Sequence, residues 1–244
     1  MVTRSDVNAM WLPVFHLLTG LHHAYTISRM VTVDYDGVSH PYMLVTRDMG
    51  FRFLTVWNLI LQCLYFGMCG MEIILDANIE GSNPLVRRYK KTRDTIFRAL
   101  VFPIALLVTS VFWILFTLDR DLVYPAIVDQ YLPPHVNQMM HTSISIAAVL
   151  ELVLRPHQYR RLWTDITILL LFNCSYLFCY QYTYWTRGVW MYPVYKYLSW
   201  NQQQLMNLML GFVVPIAYYL LAKATAIKLH GTGVHHLNGT KKET

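Results

Sequence analysis

The sequence predicts an all-α membrane protein, a bundle of six transmembrane helices with both the N- and C-termini cytoplasmic. Three observations carry that reading. Hydrophobic residues make up 55% of the 244 positions and charged residues only 14%, against roughly 25% charged in an ordinary soluble domain. The charges are gathered between apolar runs close to the ~20 residues that a helix needs to cross the hydrocarbon. The basic residues concentrate in alternate connections, as the positive-inside rule requires of cytoplasmic loops.

Taken in order, the first run covers residues 9–30. A cleavable signal peptide would have an apolar core of roughly 7–15 residues and a small-residue cleavage site. This run is longer, carries His16, His22 and His23, and lacks that site, so it predicts a retained helix. The remaining spans are residues 53–76, 95–118, 136–154, 163–185 and 204–227. Pro103 and Pro215 fall inside spans, where neighbouring helices re-satisfy the freed carbonyl, so kinks are expected rather than breaks. Residues 1–230 thus form a single transmembrane domain, and residues 231–244 a cytoplasmic tail.

Orientation follows from the connections. Arg87, Arg88, Lys90, Lys91 and Arg93 follow the second span, Arg155, Arg160 and Arg161 the fourth, and Lys228, Lys241 and Lys242 the sixth. An even number of crossings separates these groups, so all lie on one face, the cytoplasmic one. Trp11, Trp57, Trp163 and Trp185 sit at span ends, the headgroup level that amphipathic rings prefer.

The formal charge of +6 belongs to these flanking residues, and no nucleic-acid-binding motif accompanies it. Cys63, Cys69, Cys174 and Cys179 all lie in apolar runs without a zinc spacing or a disulfide framework. They are expected to be packing residues. No HExxH pattern or spaced carboxylate set supports a metal, and no cofactor is called for. Lys241 and Lys242 stand third and fourth from the end, where they resemble a dilysine retrieval signal. That ending fits the endoplasmic reticulum or another endomembrane, weighed evenly against a solvated tail, and leaves the plasma membrane open.

Polar residues inside the spans mark function by default, because each is costly in hydrocarbon. Thr55 and Asn58 lie within the first two turns of the second span. His141 lies about 7 Å into the fourth at 1.5 Å per residue, and both spans start from the same face. Thr55 and His141 can therefore meet if those helices are neighbours. Asn137 stands one turn above His141 and Asn58 one turn below Thr55. Glu72 and Glu151 lie toward the opposite ends. A hydroxyl beside an imidazole is the minimum for nucleophilic acyl transfer. Structural roles compete with that reading: a threonine in a membrane helix usually bonds its own backbone, and a buried histidine often only links helices.

The same residues carry a resemblance. Phe53-Leu54-Thr55, Gln62 and Phe66-Gly67 resemble the second span of the androgen-induced gene family. Further matches follow in order: Phe102-Pro103, Phe112-Trp113-Ile114, Asp119-Arg120, Tyr124-Pro125, Met140-His141-Thr142, His157-Gln158-Tyr159, Trp190 and Tyr192-Pro193. They run from Phe53 to Pro193, leaving the first helix and the tail uncovered. The resemblance implies a multi-span membrane hydrolase of fatty acid esters of hydroxy fatty acids. It also implies that the nucleophile is the threonine after Phe-Leu, here Thr55, and the base the histidine before a threonine, here His141. Some relatives carry a further histidine where this chain has Gln138-Met139-Met140, which bears on substrate detail more than on chemistry.

The expected partners are branched fatty acid ester lipids and the bilayer. Asn58 and Asn137 are the candidate oxyanion or orienting donors on helix spacing alone. A transporter or receptor-like scaffold using His16, His22, His23, Glu72 and Glu151 is the alternative, against which stands the lack of two matching halves with broken helices. The oligomeric state is left open.

Overall fold

A computed structural model describes residues 4–231, with side chains from Trp11 onward. Every regular element among them is helical. The α-helices are α1 (Arg4–Val31), α2 (Pro41–Met49), α3 (Leu54–Asn78), α4 (Pro84–Ile96), α5 (Phe102–Leu118), α6 (Pro134–His141), α7 (Ser143–Leu154), α8 (Leu162–Arg187), α9 (Trp200–Leu208) and α10 (Val214–His230).

Among the described residues, four helical runs are long and apolar enough to cross a membrane: Pro41–Asn78, Pro84–Leu118, Leu162–Arg187 and Trp200–His230. Two expected spans are not among them. The 28-residue α1 is long enough, but three histidines dilute its apolar run. The run over residues 136–154 is interrupted at Thr142, which ends α6 and begins α7. Both still belong to the bundle. α1 lies along α3 and against α6 and α7, burying His16, His23 and Thr26. His22 Nε2–H donates to Ser143 Oγ at 2.7 Å, and Ser143 in turn donates to the Met139 carbonyl.

Two prolines shape the long runs. Pro103 and Pro215 cannot donate a hydrogen bond, and their rings crowd the carbonyl four residues back. Each is preceded by one π-helical turn, Phe97–Val101 and Met209–Val213. The amides of Phe102 and Val214 reach back five residues, to Phe97 and Met209. One extra residue is absorbed and the helix continues, so the sequence-level expectation of kinks becomes two π turns.

The basic stretch after α3 forms a helix of its own. Asn83 caps α4, its side chain accepting from the Leu85 amide, and Pro84 takes the first helical position, where a missing N–H costs nothing. At the other end of the bundle, α2 and the short 3-10 segments Arg120–Leu122, Ala126–Gln130 and Pro193–Tyr197 cover the start of α3. The Tyr42 hydroxyl fastens α2 to this cover through the Val123 carbonyl at 3.0 Å.

The core is apolar and aromatic, with Leu59, Tyr65, Phe66, Phe97, Ile104, Ile144, Leu169 and Tyr219 fully enclosed. The outer faces of α8 and α10 expose Leu171, Phe178, Leu220 and Leu221, as surfaces bathed in lipid would. Trp11, Trp163 and Trp185 are exposed. Trp57 is not: its indole donates to the Phe51 carbonyl at 3.0 Å and its ring packs edge-on against Phe172 and Tyr176. It is a packing residue rather than a headgroup anchor. The four cysteines are unpaired. Lys241 and Lys242, and the tail containing them, lie outside the described residues.

Candidate functional site

Thr55 is the second residue of α3, and His141 the last of α6. Thr55 Oγ1 lies 3.3 Å from His141 Nε2, both groups buried. The pairing expected from helix depth is present.

The imidazole is held on its other edge by its own helix. Nδ1 lies 2.7 Å from Asn137 Oδ1 and 3.2 Å from the Asn137 carbonyl oxygen. A backbone carbonyl can only accept, so Nδ1 carries the proton and Nε2 presents its lone pair to the threonine hydroxyl. The ring face lies on Phe112, centroids 3.5 Å apart and planes 7° from parallel. The next residue anchors the helix break: Trp113 Nε1–H donates to Thr142 Oγ1 at 3.0 Å, and Thr142 donates to Gln138 Oε1 at 2.7 Å. The imidazole is thus fixed in plane, tautomer and height.

Thr55 and His141 open on a cavity of about 170 Å³, whose lining includes no Asp, Glu, Lys or Arg. Its wall is aliphatic and aromatic, interrupted by a few polar atoms. Asn173 Nδ2 and the hydroxyls of Tyr124 and Tyr180 reach it without a partner among the described residues. Two further hydroxyls meet the first turn of α3. The Leu54 amide donates to both Tyr176 Oη, at 3.1 Å, and Tyr192 Oη, at 3.2 Å, and these oxygens are 2.8 Å apart. Burial pushes the Tyr192 phenol above its ordinary range, so it stays protonated.

The two asparagines singled out by helix spacing part company. Asn137 touches His141 as an acceptor. Asn58 is fully buried with neither amide atom partnered among the described residues, and it is not part of the cavity wall. Tyr176 and Tyr192 escape helix-spacing analysis altogether, because one comes from α8 and the other from the loop beyond it. The only sequence signal is an apolar-face repeat of Asn173, Tyr176 and Tyr180, three and four residues apart.

Glu72 and Glu151 sit at the far end, away from this group. Glu72 pairs with Arg93 and, at 2.6 Å, with Arg155. Glu151 accepts from His16 at 2.8 Å and from the Tyr65 hydroxyl. The ligand atoms of His16, Cys69 and Glu151 all lie within 4.8 Å of one another, the one metal-like grouping among the described residues. Both oxygens of Glu151 are already engaged, and the Arg155 guanidinium lies 3.8 Å from Cys69 Sγ, where it would repel a dication. The grouping is accounted for as a buried hydrogen-bond network.

Comparison with known proteins supplies the family. The sequence model of FAR-17a/AIG1-like proteins matches residues 12–226. The chain belongs to that family. It is 35% identical over 187 residues to the androgen-dependent TFPI-regulating protein of Mus musculus, covering 76% of this chain and 75% of that one. The human protein of that name is 34% identical over 156 residues, 64% of this chain and 67% of that one. The human androgen-induced gene 1 protein is 29% identical over 159 residues, 63% of this chain and 67% of that one. No solved structure matches. The family match covers most of the first helix as well, beyond the motifs that run from Phe53 to Pro193.

Proposed function

We propose that this chain is a six-span endomembrane hydrolase, both termini cytoplasmic, that cleaves the ester bond of fatty acid esters of hydroxy fatty acids. One observation carries the reading: an imidazole nitrogen forced into its lone-pair form faces a threonine hydroxyl at 3.3 Å on the wall of an apolar cavity. Family membership supports it, and so does the absence of any charged residue in the cavity lining, which suits acyl chains that enter from the hydrocarbon without passing through water.

The arrangement performs acyl transfer as follows. His141 Nε2 accepts the Thr55 proton while Oγ1 bonds to the ester carbonyl carbon and the carbonyl π electrons move onto oxygen. Collapse of that intermediate breaks the ester C–O bond, and the hydroxy fatty acid departs with the proton from Nε2. Water then gives a proton to Nε2, attacks the acyl-threonine, and releases the fatty acid as Thr55 Oγ1 recovers the proton. The net reaction consumes one ester and one water and yields one acid and one alcohol. Asn137 keeps Nδ1 protonated throughout, the office of the third member in hydrolase triads.

The test uses purified protein in micelles with a branched fatty ester and a fluorophosphonate probe. Thr55→Ala should abolish hydrolysis and labelling without altering expression or melting. Labelling that survives this change removes Thr55 as nucleophile. Flux of the ester across proteoliposomes with no product formed would favour a transporter instead.

A further inference from the structure

The proposed reaction places negative charge on the ester oxygen, and the site contains donors that no residue uses. The donors come from the first turn of α3. Leu54 and Thr55 are its first two residues, where backbone N–H groups have no intrahelical acceptor. The Leu54 amide is satisfied by the two tyrosine oxygens. The Thr55 amide has no acceptor among the described residues. It points from the positive end of a 25-residue helix, where anionic charge is stabilised.

Proton counting supplies the second, independent observation. Tyr176 and Tyr192 each own one hydroxyl proton, and each oxygen already accepts from the Leu54 amide. Across the 2.8 Å between them only one proton can lie. The other has no acceptor among the described residues, although both tyrosines line the cavity and Tyr176 is only 8% exposed. The pair therefore carries one surplus O–H on the cavity side of Leu54, one residue from the nucleophile.

We infer that the oxyanion hole consists of the Thr55 backbone amide and the surplus hydroxyl of the Tyr176–Tyr192 pair. The inference rests on the hydrolase reading above. Use of the nucleophile's own amide in this role is shared with serine proteases. The Leu54 amide fixes both phenol oxygens before substrate arrives, so the donors need no reorganisation as charge develops. Asn58, outside the cavity wall, has no part in it.

The pairing makes an unusual prediction. Removing one hydroxyl leaves the other still held by Leu54 and releases its proton from the mutual hydrogen bond. Tyr176→Phe and Tyr192→Phe should each lower kcat by about three- to tenfold, because the remaining hydroxyl loses the partner that orders it. The double change should lower it by about 10²–10³-fold, the cost of one lost oxyanion donor. KM should stay level, and the fluorophosphonate labelling rate should fall in step with kcat, because that adduct places an anionic oxygen in the same position. A folded double variant with kcat within about threefold of the parent overturns the assignment. If the double variant gives no melting transition, the single changes decide. A fall in kcat and labelling rate at constant KM supports the hole, whereas unchanged kcat in both overturns it. Thr55→Ala, run alongside, separates the two levels: activity surviving that change sinks the hydrolase reading itself, whereas activity lost there but kept in the tyrosine variants sinks only the hole.

Discussion

Around Asp165 the strong charges are answered by partners. Its two oxygens receive Arg98 Nε at 2.9 Å and Nη2 at 3.2 Å, and the Tyr219 hydroxyl adds a third bond at 3.1 Å. Nearby, Glu72 meets Arg93 and Arg155, and Lys90 meets Asp76 at 2.7 Å. Around Thr55 the pattern reverses. The cavity lining has no charged residue, yet Asn173, Tyr124 and Tyr180 present polar atoms there with no partner among the described residues. A buried ion must be paired or it costs several kcal/mol, whereas a few unpaired neutral donors cost about 1–3 kcal/mol each and remain available to a ligand. One end of the bundle therefore spends its polarity on holding helices together, and the other keeps it in reserve.

Substitutions at the two ends should separate stability from turnover. The largest effect belongs to the site: His141→Ala should cut turnover by about 10⁴-fold or more, equivalent to roughly 5.5 kcal/mol of barrier, with an unchanged melting temperature. A variant that melts early would make His141 a structural residue. Next, Asp165→Ala should destabilise by about 3–5 kcal/mol, because Arg98 is left buried without its counter-charge. Detergent melting reads this, and the surviving folded fraction should turn over normally; normal melting would break the contrast between the two ends. Asn137→Ala should lower kcat by about 10²-fold by releasing the imidazole plane. Full activity would show that Phe112 stacking suffices. The smallest change is at Asn58, where an isosteric Leu removes two unpartnered amide atoms. Turnover within about threefold and equal or higher stability are expected, and a drop of about 10²-fold would return the oxyanion role to Asn58.

The pairing of Thr55 with His141 was legible because helix rise turns residue number into depth, and because two polar residues at one depth in hydrocarbon have few other partners. Asn137 was legible as a neighbour of His141, four residues back, but its role as acceptor was not. That depends on the backbone carbonyl beside it, which no side-chain pattern reveals. The tyrosine pair was hidden for a different reason. Its members come from separate segments, and aromatic residues near span ends read equally well as headgroup anchors. Residues 136–154 predict one helix because they hold no proline or glycine and are mostly apolar beyond Ser145; the break at Thr142 is fixed by Trp113 from α5, a tertiary contact. By contrast, α4 carried its own signals in Asn83-Pro84, overlooked because its basic surface suggested a loop.

The π turn at Phe97–Val101 sets where Phe112 points. In an α-helix each residue advances the side chain by about 100° around the axis, and the π turn takes up one extra residue, so everything after it is offset by that angle from an unbroken α-helix of the same sequence. Phe112, more than two turns downstream, faces His141 only with that offset in place. Winding the same residues as an unbroken α-helix, with none removed, would swing the ring away from the imidazole, whereas losing one residue together with the π turn would leave it in place. The match between one extra residue and one π turn, more than the composition of the stretch, is therefore the property that relatives with the same chemistry have reason to keep.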